Sequence, residues 1–346
     1  MPDRLSSPYD LLLCRPGAEP ELCEELQTCH GLTAHPAGAG LLQLRSGRLP
    51  AEPLMFERQR LPQARFLRLQ PGEPIPEAAA AAIWECWAAE PMPWAAHVYA
   101  LEEEAGGLAS RMKGIARELQ RLGAARHPGL ARWERKPEKL LAAGKGLLWQ
   151  WVLTPEGLWT SAASPAALSA NTPGGRCRMR MDPEAPSRSY LKMEEALHRL
   201  GIEPEAGQTV IDLGAAPGGW TYAFARRGCQ VTAIDNGPLR LTSAVVRRVE
   251  HLHRDGMTFR LAPHLPPVDW LVGDMLIPPG QAFSLLKYWV GGRHCRRIVL
   301  NIKLPQQQPL PALLPICAWL QGRGALQLRQ LYHDRREVTL FGSINS

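Results

Sequence analysis

Thr209-Val210-Ile211-Asp212-Leu213-Gly214-Ala215-Ala216-Pro217-Gly218-Gly219-Trp220-Thr221-Tyr222-Ala223-Phe224-Ala225 is the stretch that decides the fold. The apolar run at its start predicts a strand over Thr209–Leu213, and the residues from Trp220 predict a helix reaching Arg227. Between them lies a turn of glycine, alanine and proline. Such a turn has no room for side chains, so a ligand can lie against bare backbone amides at the start of a helix. A second apolar run, Val231-Thr232-Ala233-Ile234, ends in Asp235. A carboxylate about 20 residues past a glycine-rich turn is placed to accept hydrogen bonds from ribose hydroxyls. The two features together imply a nucleotide-like cofactor.

Working outward, the C-terminal half alternates strand and helix. Further strands are predicted at Val268–Gly273 and Arg297–Ile302, and helices at Leu241–Leu252 and Gln281–Gly291. A helix over Ser187–Leu200 precedes the first strand, with Pro186 near its start. Leu326–Leu331 and Glu337–Phe341 alternate apolar and polar around His333-Asp334-Arg335-Arg336, which predicts two strands and an antiparallel addition at a sheet edge. The fold class expected is α/β: a mostly parallel sheet with an antiparallel edge strand, preceded by a smaller α+β region. In that region Leu11–Leu13, Leu41–Leu44 and Phe66–Leu69 read as strands, and Ala18–Leu26, Ala78–Trp87 and Leu108–Leu122 as helices. Leu147–Leu153 with Gly157–Ser161 reads as a hairpin. Ser164–Asp182, rich in Ser, Pro, Gly and Arg, joins the halves, so domains are expected over 1–165 and 186–346 with a linker over 166–185.

The chain of 346 residues is long for one domain and suits two. Its 40 Lys+Arg against 33 Asp+Glu give a net charge of +7, a mild bias toward a polyanionic partner. The 8 cysteines (Cys14, Cys23, Cys29, Cys86, Cys177, Cys229, Cys295, Cys317) contain no Cys-x-x-Cys pair, and Cys23, Cys29 and His30 lack a second half with ligand spacing. Reduced thiols and no metal site are expected. The N-terminus, Met1–Ser7, is polar, Leu11-Leu12-Leu13 is too short for a signal core, and no uncharged apolar run approaches the length of a membrane span. A soluble, cytoplasmic, monomeric protein with no membrane partner is expected.

Four side chains fall where chemistry would need them. Asp274 ends the third C-terminal strand and Lys303 the fourth, and in an open α/β sheet ligands sit outside the carboxyl ends of the strands. Lys192 lies on the preceding helix, and Glu337 opens the last strand. A hydroxyl is a poor nucleophile at neutral pH and needs a base; a lysine serves only where its own charge is suppressed.

The turn, with Pro217 between small residues and Trp220 closing it, resembles the S-adenosylmethionine loop of FtsJ-type RNA ribose methyltransferases more than a dinucleotide fingerprint, which wants Gly-x-Gly-x-x-Gly. Lys192, Asp274, Lys303 and Glu337, in this order, resemble the tetrad of that family. Ala185-Pro186-Ser187-Arg188-Ser189-Tyr190-Leu191-Lys192-Met193-Glu194-Glu195-Ala196, Asp235-Asn236-Gly237-Pro238, Arg254-Asp255-Gly256, Asn301-Ile302-Lys303-Leu304-Pro305 and Gln330–Thr339 are similar to segments of the bacterial large-subunit ribosomal RNA methyltransferase M family. The first half resembles it more loosely, through Leu12-Leu13-Cys14-Arg15-Pro16-Gly17. The resemblance implies a Rossmann-like methyltransferase domain behind an N-terminal RNA-binding region, ferredoxin-like plus THUMP-type. It implies S-adenosylmethionine as cofactor, held by Ser189, Gly214, Ala216, Pro217, Gly218, Gly219, Trp220, Asp235, Asp255 and Asp274. It also implies Lys303 as base, Asp274 and Lys192 orienting it, and Glu337 positioning the hydroxyl or the lysine. The reaction implied is 2′-O-methylation of a cytidine in 23S rRNA, with 23S rRNA or a large-subunit assembly precursor as partner. Two departures are Gln306-Gln307-Gln308 where lysines crowd the family's sequence, and an Ala-rich stretch over 70–145.

Blander readings stand beside these. Lys192 with Glu194 and Glu195 suits ordinary helix-face ion pairs. The tryptophans at 149, 151 and 159 suit base stacking but more commonly pack cores. Arg176-Cys177-Arg178-Met179-Arg180 suits a solvated linker as well as phosphate contact. Cytosine-C5 methylation would want a cysteine near the strand ends, which neither Asp274-Met275 nor Lys303-Leu304 supplies. Base-amine methylation would want an Asn/Asp-Pro-Pro-aromatic motif where Asp274–Gly280 stands. A non-catalytic RNA-binding or ribosome assembly factor on a methyltransferase scaffold is the alternative to an enzyme.

Overall fold

The structure is a computed structural model that describes residues 5–45, 47–69, 74–87, 92–101 and 108–345. Met1–Arg4 of the polar N-terminus and parts of the Ala-rich stretch lie outside the described residues. The chain divides into two compact units, Met1–Arg176 and Cys177–Ser346.

In the first unit, β1 (Tyr9–Cys14), β2 (Ala34–Gly38), β3 (Leu41–Leu44), β4 (Glu57–Arg68), β5 (Trp94–Ala100), β6 (Leu147–Thr154) and β7 (Gly157–Ala163) form one sheet in the order β2-β3-β1-β4-β7-β6-β5. The helices are α1 (Glu19–His30), α2 (Glu77–Trp87), α3 (Leu108–Arg126), α4 (Pro128–Ala131) and α5 (Pro137–Ala143). Only the far end of β4 was legible as a strand. The rest contains Pro62 and Gln63 at φ +51°, an interruption at which β4 leaves β1 and joins β7. β2 and β5, Ala-His-Pro-Ala-Gly and Trp-Ala-Ala-His-Val-Tyr-Ala, lack a β-branched signature and are held by pairing with β3 and β6. Trp84, Trp94, Trp149 and Trp151 pack ring against ring with centroids 4.6–5.8 Å apart, all buried. Trp159 is buried as well, against Phe66. These rings serve the core, and base stacking is not open to them.

The second unit contains α6 (Tyr190–Leu200), β8 (Thr209–Leu213), α7 (Gly219–Ala225), β9 (Gln230–Ile234), α8 (Ser243–Val246), β10 (Val249–Leu252), β11 (Val268–Gly273), α9 (Pro279–Trp289), β12 (Cys295–Lys303), α10 (Pro309–Leu320), β13 (Gly324–Arg329) and β14 (Glu337–Ile344). Its sheet runs β10-β9-β8-β11-β12-β14-β13, parallel except for β14, which is antiparallel to both neighbours and lies one place in from the edge. The strand order reverses between β8 and β11. In open α/β sheets ligands sit in the crevice beyond the carboxyl ends at that point, here just past Leu213 and Gly273.

One expected element is corrected. Leu241–Leu252 is not a continuous helix: one short helical turn ends at Val246, and Val249–Leu252 pairs in parallel with β9. Leu241, Val245, Val249 and Leu252 keep a helical spacing, but β9 would otherwise present an open row of amides and carbonyls. Pairing satisfies that row, and sheet register overrides helical period.

Candidate active site

The turn after β8 is shaped by backbone that side chains would obstruct. Gly214 (φ +72°) and Gly218 (φ +112°) occupy left-handed conformations. A Cβ at Gly219 would collide with the hydroxyls of Ser187 and Ser189 and stand 3.1 Å from the Tyr190 amide nitrogen. The Ser187 and Ser189 hydroxyls are 2.8 Å apart, and the Trp220 indole donates to the Ser189 carbonyl at 2.9 Å. The close approach of α6 and α7 thus needs glycine at 219. Asp235 accepts from the Ala216 amide (2.9 Å) and the Gly237 amide (2.7 Å), tying the end of β9 to the turn. Asp255 accepts from the Met257 amide at 2.8 Å, and Gly256 lies against the Gly214 amide.

Two cavities open here. The smaller, about 280 Å³, is lined by Ser187, Ser189, Lys192, Asp212, residues 214–217, Trp220, Asp274 and Leu276. Of the expected cofactor residues, Ser189, Gly214, Ala216, Pro217, Trp220 and Asp274 line it; Gly218, Gly219, Asp235 and Asp255 do not, and the first three of these act on the shape of the turn. The larger, about 560 Å³, is lined by Arg188, Ser189, Leu191, Lys192, Leu276, Lys303, His333, Arg335, Arg336 and Glu337. Ser189, Lys192 and Leu276 belong to both, so the cavities meet there.

The four residues singled out for chemistry converge on that junction. Lys192 Nζ donates to Glu337 Oε1 at 2.7 Å and to Asp274 Oδ1 at 3.3 Å. Lys303, the last residue of β12, lies directly across from Glu337 on β14, as Asn301 lies across from Thr339. Strand alternation turns Asn301 and Lys303 to one face. Asn301, buried, donates to Asp274 Oδ1 at 2.7 Å. Lys303 is exposed, and its ammonium makes no hydrogen bond or ion pair with another described residue. One lysine is clamped, and the other bears on Glu337 through its charge alone.

The helix-face reading of Lys192 is overturned. Glu194 pairs with Arg227 instead (2.6 Å), and fully buried Glu195 accepts from Arg199 (3.0 Å) and from the Tyr332 (2.9 Å) and His333 (3.1 Å) amides. Glu195 therefore fixes the connection leading into Glu337, one helical turn from Lys192 on α6. Burial alone would suppress the charge of Lys192, but Asp274, Glu337 and Asp334 outweigh it and hold its pKa above the ordinary value. Burial would likewise raise Glu337; the Lys192 hydrogen bond and charge, with help from Lys303, hold it below the ordinary carboxylate value. The raised lysine contributes stability below pH about 10.5 and the depressed carboxylate above about 4.5, so the pair is intact across the whole window between.

Asp212 was legible only as a strand residue. It is buried at the floor of the smaller cavity; its Oδ2 accepts from Thr221 at 2.6 Å, and its Oδ1 has no protein partner. Burial pushes its pKa up to about 7, against the Thr221 hydrogen bond and with the added repulsion of Asp274 and Asp235. Below that pH the carboxyl is protonated, and above it an anion faces the cavity.

Residues 185–308 match the FtsJ-like methyltransferase family model, and the second unit carries that Rossmann-type methyltransferase fold. The ribosomal RNA large subunit methyltransferase M of Thauera aminoaromatica is 44% identical over 195 residues, covering 53% of this chain and 52% of that protein. The protein of the same name from Laribacter hongkongensis is 38% identical over 250 residues, 66% of each chain. The chain thus spans between half and two thirds of the curated relatives it matches. Among solved structures, magnesium protoporphyrin IX methyltransferase from Synechocystis, with bound SAM, is similar at a TM-score of 0.32 and 15% identity, over 45% of this chain and 79% of that one.

Proposed function

We propose that this chain transfers a methyl group from S-adenosylmethionine to a ribose 2′-hydroxyl of large-subunit ribosomal RNA. The observation that carries this reading is the pair of lysines on the wall of the larger cavity, Lys192 clamped between carboxylates where the two cavities meet and Lys303 exposed with no hydrogen bond or ion pair to a described residue.

The smaller cavity fits a cationic, nucleoside-containing cofactor: its turn exposes backbone, and its floor holds a buried carboxyl oxygen lacking a partner. The cofactor supplies an electrophilic methyl group on a positively charged sulfur. Ser189, Gly214, Ala216, Pro217 and Trp220 shape its seat, Gly218 and Gly219 permit it, Asp235 and Asp255 brace the rim, and Asp212 and Asp274 offer negative charge. In the larger cavity Glu337 accepts a hydrogen bond from the ribose, and the Lys303 amine takes the hydroxyl proton as the oxygen attacks. A carbon–oxygen bond forms, the carbon–sulfur bond breaks with its electron pair left on sulfur, and the proton stays on Lys303. Alignment of the three reacting atoms provides much of the acceleration. Lys192 remains charged throughout and orients Asp274 and Glu337. The first unit serves as the RNA-binding region, and a cytidine of 23S rRNA, free or in an assembling particle, is the acceptor on the family resemblance.

Labelled S-adenosylmethionine with protein-free large-subunit rRNA, followed by nucleoside analysis, tests the reading. A 2′-O-methylated nucleoside supports it. Label on a base removes the lysine mechanism, and no incorporation with cofactor binding intact favours the assembly-factor role.

Asp212 gives a separate pH signature. Only its ionised form attracts the sulfonium, so S-adenosylmethionine binding measured by calorimetry is expected to tighten about tenfold from pH 6 to pH 8. Asp212→Asn should flatten that dependence; a parallel slope in the variant would assign the titration to another group.

A further inference from the structure

Leu276 stands out among the exposed apolar side chains. It is 76% exposed and lines both cavities. A single exposed leucine is ordinary on a protein surface, but this one is held outward from both sides. The Ile277 amide donates to the Met275 carbonyl at 2.8 Å, a tight turn whose apex is Leu276. Met275 packs against Gly214, where a Cβ would collide with it, and lies 3.1 Å from a Cβ position on Gly256. Ile277 is buried, and its carbonyl accepts from the Lys303 amide at 2.9 Å. With both neighbours fixed, Leu276 cannot turn inward.

We infer that Leu276 is the surface on which the face of the acceptor nucleotide's base rests while its ribose is presented to Lys303. This deepens the proposed function and rests on it. Four cations, Arg188, Lys303, Arg335 and Arg336, line the larger cavity beside Ser189, Leu191 and His333, while Lys192 and Glu337 neutralise one another. Such a rim selects a polyanion, and within a nucleic acid the flat face of an unstacked base is the surface that an aliphatic side chain covers best. Leu276 lines the same cavity as Lys303, next to Ile277, whose carbonyl accepts from the Lys303 amide, so a ribose presented to Lys303 brings its base within reach of Leu276. All four bases have such a face, so this contact adds affinity without reading base identity. The acceptor must be unstacked to reach it.

The test is steady-state methyl transfer to protein-free large-subunit rRNA with Leu276→Ala, Leu276→Met and wild type, beside calorimetry with S-adenosylmethionine. The alanine variant is expected to raise KM for RNA about tenfold with a smaller change in kcat, and to bind cofactor within about twofold of wild type. Methionine, unbranched and apolar, is expected to restore KM to within about threefold of wild type. An unchanged KM in Leu276→Ala overturns the assignment. So does a loss confined to cofactor affinity, which would place the side chain's work in the smaller cavity. If wild type transfers no methyl group to protein-free rRNA or to a large-subunit assembly precursor, the functional reading itself fails and this inference falls with it, an outcome distinct from a wild-type-like Leu276→Ala.

Discussion

Lys303→Ala is expected to lower methyl transfer by about 10²- to 10⁴-fold, the contribution typical of a positioned general base. Cofactor affinity should stay near that of wild type, because Lys303 lines only the larger cavity. Stability should change little, because the residue is exposed at the end of β12 and holds no described partner, and such surface changes usually stay within about 0.5 kcal/mol. That combination separates a reacting residue from a structural one. Lys303→Arg is expected to be equally inactive, although it keeps the charge, since a guanidinium cannot be deprotonated in a protein. Single-turnover transfer and calorimetry of cofactor binding measure the two effects. Activity retained above about a tenth of wild type in the alanine variant is too large a remainder for a lost base and would move that role to another group.

Most of the parallel strands and the carboxyl-end residues were legible because parallel βαβ units write themselves as alternating apolar and amphipathic runs, and because strand ends point at the switch-point crevice. Asp274, Lys303 and Glu337 could be located that way. Lys192 could not be separated from a helix-face ion pair, since Glu194 and Glu195 sit beside it in sequence and only the sheet reveals that Asp274 and Glu337 reach it first. Asp212 looked like one more buried strand position; the signal was a carboxylate in an otherwise apolar run two residues before the first glycine. Asn301 carried a similar signal, a polar residue one strand repeat before Lys303, and its partner Asp274, just past the end of β11, was invisible without the register. Leu276 had none, because exposure of a leucine is a property of the turn between Met275 and Ile277. In the first unit, β2 and β5 were missed because pairing partners, not residue type, make them strands.

Lys192→Met is expected to cost both activity and stability, and a second substitution can separate the two. The ammonium is mostly buried between Asp274 and Glu337, with side-chain exposures of 13%, 19% and 7%. Removing it leaves two facing carboxylates, with buried Asp334 close by and only the exposed Lys303 to offset Glu337. Breaking a buried ion pair from one side typically costs about 3–5 kcal/mol, because the remaining charge is left uncompensated. The proportion still open to water puts this case near the lower bound. Adding Glu337→Gln to Lys192→Met removes one of the two orphaned charges and should restore a substantial part of the lost stability in chemical denaturation. It should restore no methyl transfer, since the double variant lacks both the group that orients Asp274 and the acceptor facing the ribose. Recovery of stability without recovery of turnover would mean that the same cation holds the β14 edge of the site together and aims the carboxylates at the reaction. A double variant as unstable as Lys192→Met would mean that the lysine acts through packing of its aliphatic stem, and the electrostatic account of the clamp would have to be abandoned.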